Sequence, residues 1–331
     1  MPSDALETPR LIADIGGTNA RFALLSSDGE VYSQQTLRCA EYPDPAAAVE
    51  HYLADPQRPR PREAGLALAT AITGDQIKMT NHVWTFSLEA TRRQLGFERL
   101  LAVNDFTALA MALPSMDDTM LHKVGPGESR ANRPLALLGP GTGLGVSGLI
   151  PAGEYWVPLE GEGGHATFSP ANERQMDILR MIRRDLPHVS AEALLCGSGL
   201  VRLYRAICAL ESMEEKAYSP ADITERGMQG TDTVCQEVLH TFCGMLGTVA
   251  GNLVLTLGAQ GGVYIGGGII PRLGGVFDTS PFRQQFEYKG RFSPYLAAVP
   301  SYVINVANPA FIGLTRVFDE VQGHAIPRQL L

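Results

Sequence analysis

The feature that most constrains this fold is an internal echo. Shifting the sequence by 124 positions lays residues 12–32 over residues 136–156 without a gap. Gly17 then meets Gly141, Thr18 meets Thr142, Leu25 meets Leu149, Gly29 meets Gly153 and Glu30 meets Glu154. Any two hairpins share turn glycines, but here the spacing from loop to second turn is kept as well. A chain that writes the same β-meander twice is predicted to build two similar units, and 331 residues suffice for two cores.

The segments after each meander fit that prediction. "RLIADIGG", "ARFALLS" and "EVYSQQTLR" read as three antiparallel strands. A helix with Ala46, Val49 and Leu53 on one face follows, then the buried strand "AGLALAT", a helix from a Ser87 cap to Gly96, and the strand "LLAVN". Asp105 opens an apolar helix that ends before Pro114, giving the order βββαβαβα. Beyond the second meander, helices are expected at 172–186, 199–210 and 232–257. Strands are expected at "GGVYIGG" and "SYVINV", with an Asn308-capped helix carrying Pro309 in its first turn. This last helix is expected to pack back on the first unit. The stretch from Thr241 to Pro271 has no charged residue and is long enough to span a bilayer. Its nine glycines and the break at "GAQGG" instead point to a buried helix followed by a buried strand.

Composition removes several partners. The 27 basic and 35 acidic residues leave a net charge of −8, with no Lys/Arg cluster to neutralise a run of phosphates, so nucleic acid is not an expected partner. Cysteines 39, 196, 208, 235 and 243 are odd in number and include no C-x-x-C, which fits a reducing cytoplasm rather than a disulfide framework or a zinc site. "MPSDALETPR" lacks the apolar core of a signal peptide and reads as a short tail; no membrane association is expected.

Several stretches can carry chemistry. "ADIGGTNARF" joins a glycine turn, whose N–H groups can converge on an anion, to Asp14, Thr18, Asn19 and Arg21. "GPGTGLG" repeats the loop with Leu138 in place of Asp14, so a metal would belong to the first loop. Gly143–Gly148 also satisfies G-x-G-x-x-G, yet Pro151 and Gly153 follow where a dinucleotide fingerprint needs a helix. "VYIGGGIIP" closes a strand with glycines that let a flat purine approach the backbone. Glu162 and His165 share the loop "EGEGGHATFSP", and Glu192 lies in the first turn of a helix capped by Ser190; all three can bind hydroxyls. Finally, "LAVNDFTALAM" sets Asn104 and Asp105 at the carboxyl end of a buried strand, where α/β sheets bind ligands. Either residue can cap the following helix, which leaves the other for a different duty.

These stretches, together with "MTNHVWTFS", "VSAEALLCGSGLVRLYRAI", "DITER" and "NPAFIGL", resemble in order and spacing the bacterial ATP-dependent glucokinases of the hexokinase and actin-like ATPase superfamily. The resemblance runs from Arg10 to about Phe318. It implies an α/β, two-domain actin-like ATPase (ribonuclease H-like) fold. Each domain would be a mixed five-stranded sheet flanked by helices, with the active-site cleft between: a small domain of 1–115 plus about 307–331, and a large one of 116–306. It implies phosphorylation of D-glucose on its 6-hydroxyl, with Asp105 as general base. Asn104, Asp105, Glu162, His165 and Glu192 would hold the sugar. The ATP phosphates would lie against Ala13, Asp14, Ile15, Gly16, Gly17, Thr18 and Asn19 and against Gly141, Thr142 and Gly143, with Gly266, Gly267 and Gly268 beside the adenosine. Mg²⁺ would bridge the phosphates near Asp14 through water, and the protein would be a cytoplasmic homodimer. A sugar-sensing regulator and an actin-like ATPase are the alternatives on the same fold. The regulator would need a DNA-binding segment, and only about ten residues precede the first strand.

Overall fold

The structure, a computed structural model, describes residues 8–322; the expected N-terminal tail (1–7) and the last nine residues (323–331) lie outside the described residues. The chain divides into two compact units. The described parts of Met1–Met116, Ala152–Pro158 and Ala307–Leu331 form the first, and Asp117–Pro151 with Leu159–Val306 form the second. Residues 152–158, expected within the second unit, therefore group with the first.

The first unit is built on strands β1 (Arg10–Ile15), β2 (Asn19–Leu25), β3 (Val31–Arg38), β4 (Glu63–Leu68) and, after a small hairpin of β5 (Gln76–Lys78) and β6 (Thr85–Ser87), β7 (Arg99–Asn104). The sheet order is β3-β2-β1-β4-β7. Strands β1, β2 and β3 are antiparallel, while β4 and β7 add parallel to β1 on the other side. Helix α1 (Pro45–Leu53) is capped by Asp44, whose carboxylate accepts from Ala47 N. Helix α2 (Leu88–Leu95) starts at Ser87, whose hydroxyl accepts from Ala90 N, and stops at Gly96 in the left-handed conformation. Helix α3 (Asp105–Ala112) follows β7 directly and packs against the C-terminal helix Pro309–Gln322. Asn308 does not cap that helix as expected: its φ is +50° and its amide donates to Gln34 Oε1.

The second sheet contains β8 (Leu121–Lys123), β9 (Leu135–Pro140), β10 (Leu144–Ala152), β11 (Tyr155–Leu159), β12 (Val263–Ile265) and β13 (Ser301–Ile304), in the order β11-β10-β9-β12-β13-β8. Its first five positions repeat the order of the first sheet, a meander extended by two parallel strands. The sheet has six strands rather than the expected five, because β8 adds antiparallel to β13. The echo is gapless in sequence but not in pairing. Ile15 pairs with Ala20, whereas Pro140, one position further along than the match to Ile15, pairs with Leu144. The second loop is accordingly tighter, closed by Gly141 N to Gly143 O (2.8 Å) where the first is closed by Gly16 N to Asn19 O (3.0 Å).

The helices that follow are α4 (Glu173–Ile182), α5 (Ala191–Leu194), α6 (Gly197–Leu210), α7 (Pro220–Gln229) and α8 (Thr233–Leu257). Helix α8 is long and apolar enough to cross a membrane, yet 72% of its apolar window is buried within the fold. Val238, Phe242, Leu246 and Val254 from it are core residues of this unit. The charge-free stretch is thus a core helix followed by the core strand β12.

Candidate active site

In the first unit, three parallel strands end at one level. Ile15 pairs with Leu68, and Leu68 with Asn104. Strands are spaced by about 4.8 Å, so the loop after β1 and the start of α3 leave the same sheet edge about 10 Å apart. Ala13 and Ile15 are fully buried, and their side chains belong to the core. Asp14 is half-buried and accepts from Arg21 Nη1 at 2.9 Å across the hairpin. Burial pushes its carboxyl above the usual carboxylate range, and Arg21 draws it only partly back. Gly16 and Gly17 are partly covered and Thr18 is exposed. A Cβ on Gly17 would lie 2.6 Å from the backbone oxygen of Asn81, so only glycine lets the Thr80–Asn81 turn rest on the loop. Thr70 ties that turn down, its hydroxyl meeting Lys78 O (2.9 Å) and Thr80 Oγ1 (3.0 Å).

The two polar residues after β7 divide their duties. Asn104 is the cap: its Oδ1 accepts from Phe106 N (2.9 Å) and Thr107 N (3.3 Å), and its Nδ2 donates to Thr70 O (3.1 Å). Both lone pairs of that oxygen are engaged, and one N–H remains for a ligand. Asp105, half-buried at the first position of α3, accepts from Phe106 N at 2.9 Å through Oδ1. The capping bonds to Phe106 N and Thr107 N thus belong to Asn104, the residue before the helix.

In the second unit, the loop Gly141–Gly143 and the turn Gly266–Gly268 follow the neighbouring parallel strands β9 and β12. Gly266 N donates to Leu138 O (2.9 Å), and Gly268 N comes within 4.0 Å of where a Cβ on Gly141 would stand. Thr142 is exposed. Gly268 would meet nothing within 4 Å if given a Cβ, so the two glycine segments border open space. Glu162, His165 and Glu192 converge in the same unit. His165 Nε2 lies 3.7 Å from Glu192 Oε1 and 4.0 Å from Glu162 Oε2. Ser190 caps α5 through Ala193 N, whereas Glu192 accepts from Leu144 N at 2.9 Å, beside the Gly141–Gly143 loop. Its carboxylate therefore serves the glycine loop rather than its own helix.

Several participants escape a reading of the sequence. Asn81 acts through its backbone, and Thr70 through its hydroxyl and its carbonyl, in an irregular segment that has no periodicity to mark it. The N–H of Leu144 carries no residue-type signal at all. Gly197, at the start of α6, donates to Gly141 O at 2.9 Å; "CGSG" hints at a close backbone approach but not at its partner.

Two mixed sheets of one topology, each with a glycine loop after its first meander strand, define an α/β protein with a repeated sheet. A glucokinase family model matches residues 11–321. A glucokinase from Chromobacterium violaceum is 51% identical over 97% of this chain and 91% of its own length. A protein named Bifunctional protein glk from Burkholderia thailandensis is also 51% identical, over 96% of this chain, but the chain spans 50% of that relative's length. The crystal structure of a glucokinase from an Antarctic psychrotroph superposes with a TM-score of 0.86 at 34% identity, covering 94% of this chain and 99% of that one. The chain belongs to the glucokinase family.

Proposed function

We propose that this chain transfers the γ-phosphoryl group of ATP to the 6-hydroxyl of D-glucose, forming glucose 6-phosphate and ADP. The observation that carries this activity is the shared strand edge of the first unit. There β1, which leads into the Gly16–Thr18 loop, and β7, which leads into Asp105, end about 10 Å apart, a span suited to a sugar hydroxyl and a terminal phosphate between them. Family membership and the Glu162, His165 and Glu192 cluster support the same activity.

A sugar hydroxyl is not ionised at neutral pH, so Asp105 accepts its proton as the oxygen bonds to the γ-phosphorus. The bond from that phosphorus to the bridging oxygen breaks, and ADP leaves with the electron pair. Glu162, His165, Glu192 and the remaining Asn104 N–H hold the other hydroxyls. An analogue lacking one of them would leave a polar group of the site without its ligand partner. The phosphates lie against the segments 13–19 and 141–143, received by the loop N–H groups other than Gly16 N and Gly141 N, which close the loops, and Gly266–Gly268 flank the adenosine. Mg²⁺ would supply neutralisation of phosphate charge. Among the described residues no group of three or more His, Cys, Asp or Glu forms a metal cage, which suits an ion held mainly by phosphates with Asp14 reached through water.

We read the repeated sheet topology as the actin-like ATPase fold. The five buried, free cysteines support a reducing, cytoplasmic setting. The family resemblance supports a homodimer, which sedimentation would read as twice the 35.7 kDa chain; a single chain mass would remove that assembly. The activity is tested at Asp105. Asp105→Asn keeps the side chain's shape, and it is expected to retain glucose binding while kcat falls about 100-fold or more. A near-normal kcat would remove Asp105 from the role of base.

A further inference from the structure

The Glu192 carboxylate joins two segments that the proposed function uses for different ligands. Its Oε2 accepts from Leu144 N at 2.9 Å, directly after the Gly141–Gly143 loop, while Oε1 faces His165. Gly143 leaves room for this: a Cβ there would lie 2.5 Å from Glu192 Oε2. The other polar group of the same residue is also covered from the sugar side, since a Cβ on Gly164 would lie 2.1 Å from Leu144 O. Leu144 is therefore held at its N–H by Glu192, with Gly164 packed closely against its carbonyl. One residue earlier the phosphate loop begins, its far end tied by Gly197 N to Gly141 O.

We propose that Glu192 is a positioning residue that couples the two substrates. Sugar bound to its carboxylate fixes the Gly141–Gly143 loop for the nucleotide phosphates, so each ligand tightens the other. This rests on the assignment of glucose and ATP as substrates. Glu192 is about one-third exposed and His165 more than half, so neither side chain is immobilised by burial. A sugar hydroxyl donated to Oε1 selects the rotamer that aims Oε2 at Leu144 N–H. A nucleotide then meets a loop whose ordering is already complete. Linkage requires the nucleotide to improve sugar binding by the same factor.

The test is calorimetric titration of the full chain with the ATP analogue AMPPNP, with and without saturating glucose, and with glucose alone. In the unaltered protein, glucose is expected to tighten AMPPNP by about 5-fold or more, the lower end of ordinary coupling. Glu192→Gln keeps an amide oxygen for Leu144 N–H and is expected to retain most of that tightening while binding glucose less well. Glu192→Ala is expected to bring the ratio within about 2-fold of unity, below that coupling range. Gly143→Ala gives the sharpest contrast, because its methyl group lies in the phosphate loop but pushes on Glu192. It is expected to weaken glucose binding without any nucleotide present by about 10-fold, within the same coupling range. Unchanged glucose affinity in Gly143→Ala, or a full wild-type ratio in Glu192→Ala, overturns the coupling. So does a ratio of one in the unaltered protein that binds both ligands. An unaltered protein that binds neither ligand overturns the substrate assignment itself.

Discussion

Asp14 pays for its position. Burial raises its carboxyl above the ordinary value of 3.8 despite the Arg21 partner. The folded state thus holds this proton more tightly than the unfolded chain does. Its contribution to stability is full below pH 3.8 and is lost as pH rises through the elevated folded value, so ionised Asp14 is a net cost at neutral pH. Each pH unit of elevation corresponds to about 1.4 kcal/mol. Asp14→Asn, whose amide oxygen still accepts from Arg21, is expected to raise Tm at pH 7 and to lose that gain as pH falls toward 4. Thermal melts across this range check it; a variant less stable than the parent at pH 7 would contradict the account. Retaining a costly carboxylate beside a glycine loop is the pattern expected of a group kept for binding. At this scale the sequence was informative but incomplete. It identified Asn104 and Asp105 as a pair with one spare member, and hydrogen-bond geometry showed which one caps. Leu144, whose contribution is a backbone N–H, has no side-chain signature to read.

At the scale of elements, α3 carries Asp105 at its first residue, so whatever sets the helix sets the carboxylate. The C-terminal helix crosses it so closely that a Cβ on Gly313 would lie 1.7 Å from Ala108 O. Backbone has no rotamer with which to yield. Gly313→Ala is expected to lose about 1–3 kcal/mol through overpacking, and to lower kcat by shifting α3, as a melt and a kinetic assay would show. An unchanged Tm would mean the helices separate more freely than their packing implies. Elements with strong local chemistry were legible: Asp105–Ala112, the Ser87 cap with its Gly96 stop, and the buried helix within the charge-free stretch. Those fixed by distant partners were not. Strand β8 is three residues, two of them exposed, and exists because β13 offers it an edge. The hairpin β5–β6 is equally short, and Asn308 exchanges its capping duty for a bond to Gln34.

For the whole molecule, the 124-residue echo points to a duplicated sheet, and the structure carries that duplication further than the matching residues do. Strand order and direction repeat through β12 and β13, where the sequences no longer align by eye. The one-residue difference in register and the sixth strand are divergences that glycine spacing cannot reveal, because pairing depends on the whole hairpin. Substrate assignment belongs to this scale too, since the proposed activity draws on residues from the whole length of the chain. A coupled assay of the purified chain with ATP and Mg²⁺ across glucose, mannose and fructose tests it most directly. The account predicts stoichiometric ADP and glucose 6-phosphate, with glucose giving the highest kcat/KM. ATP hydrolysis at a rate indifferent to every sugar would contradict it.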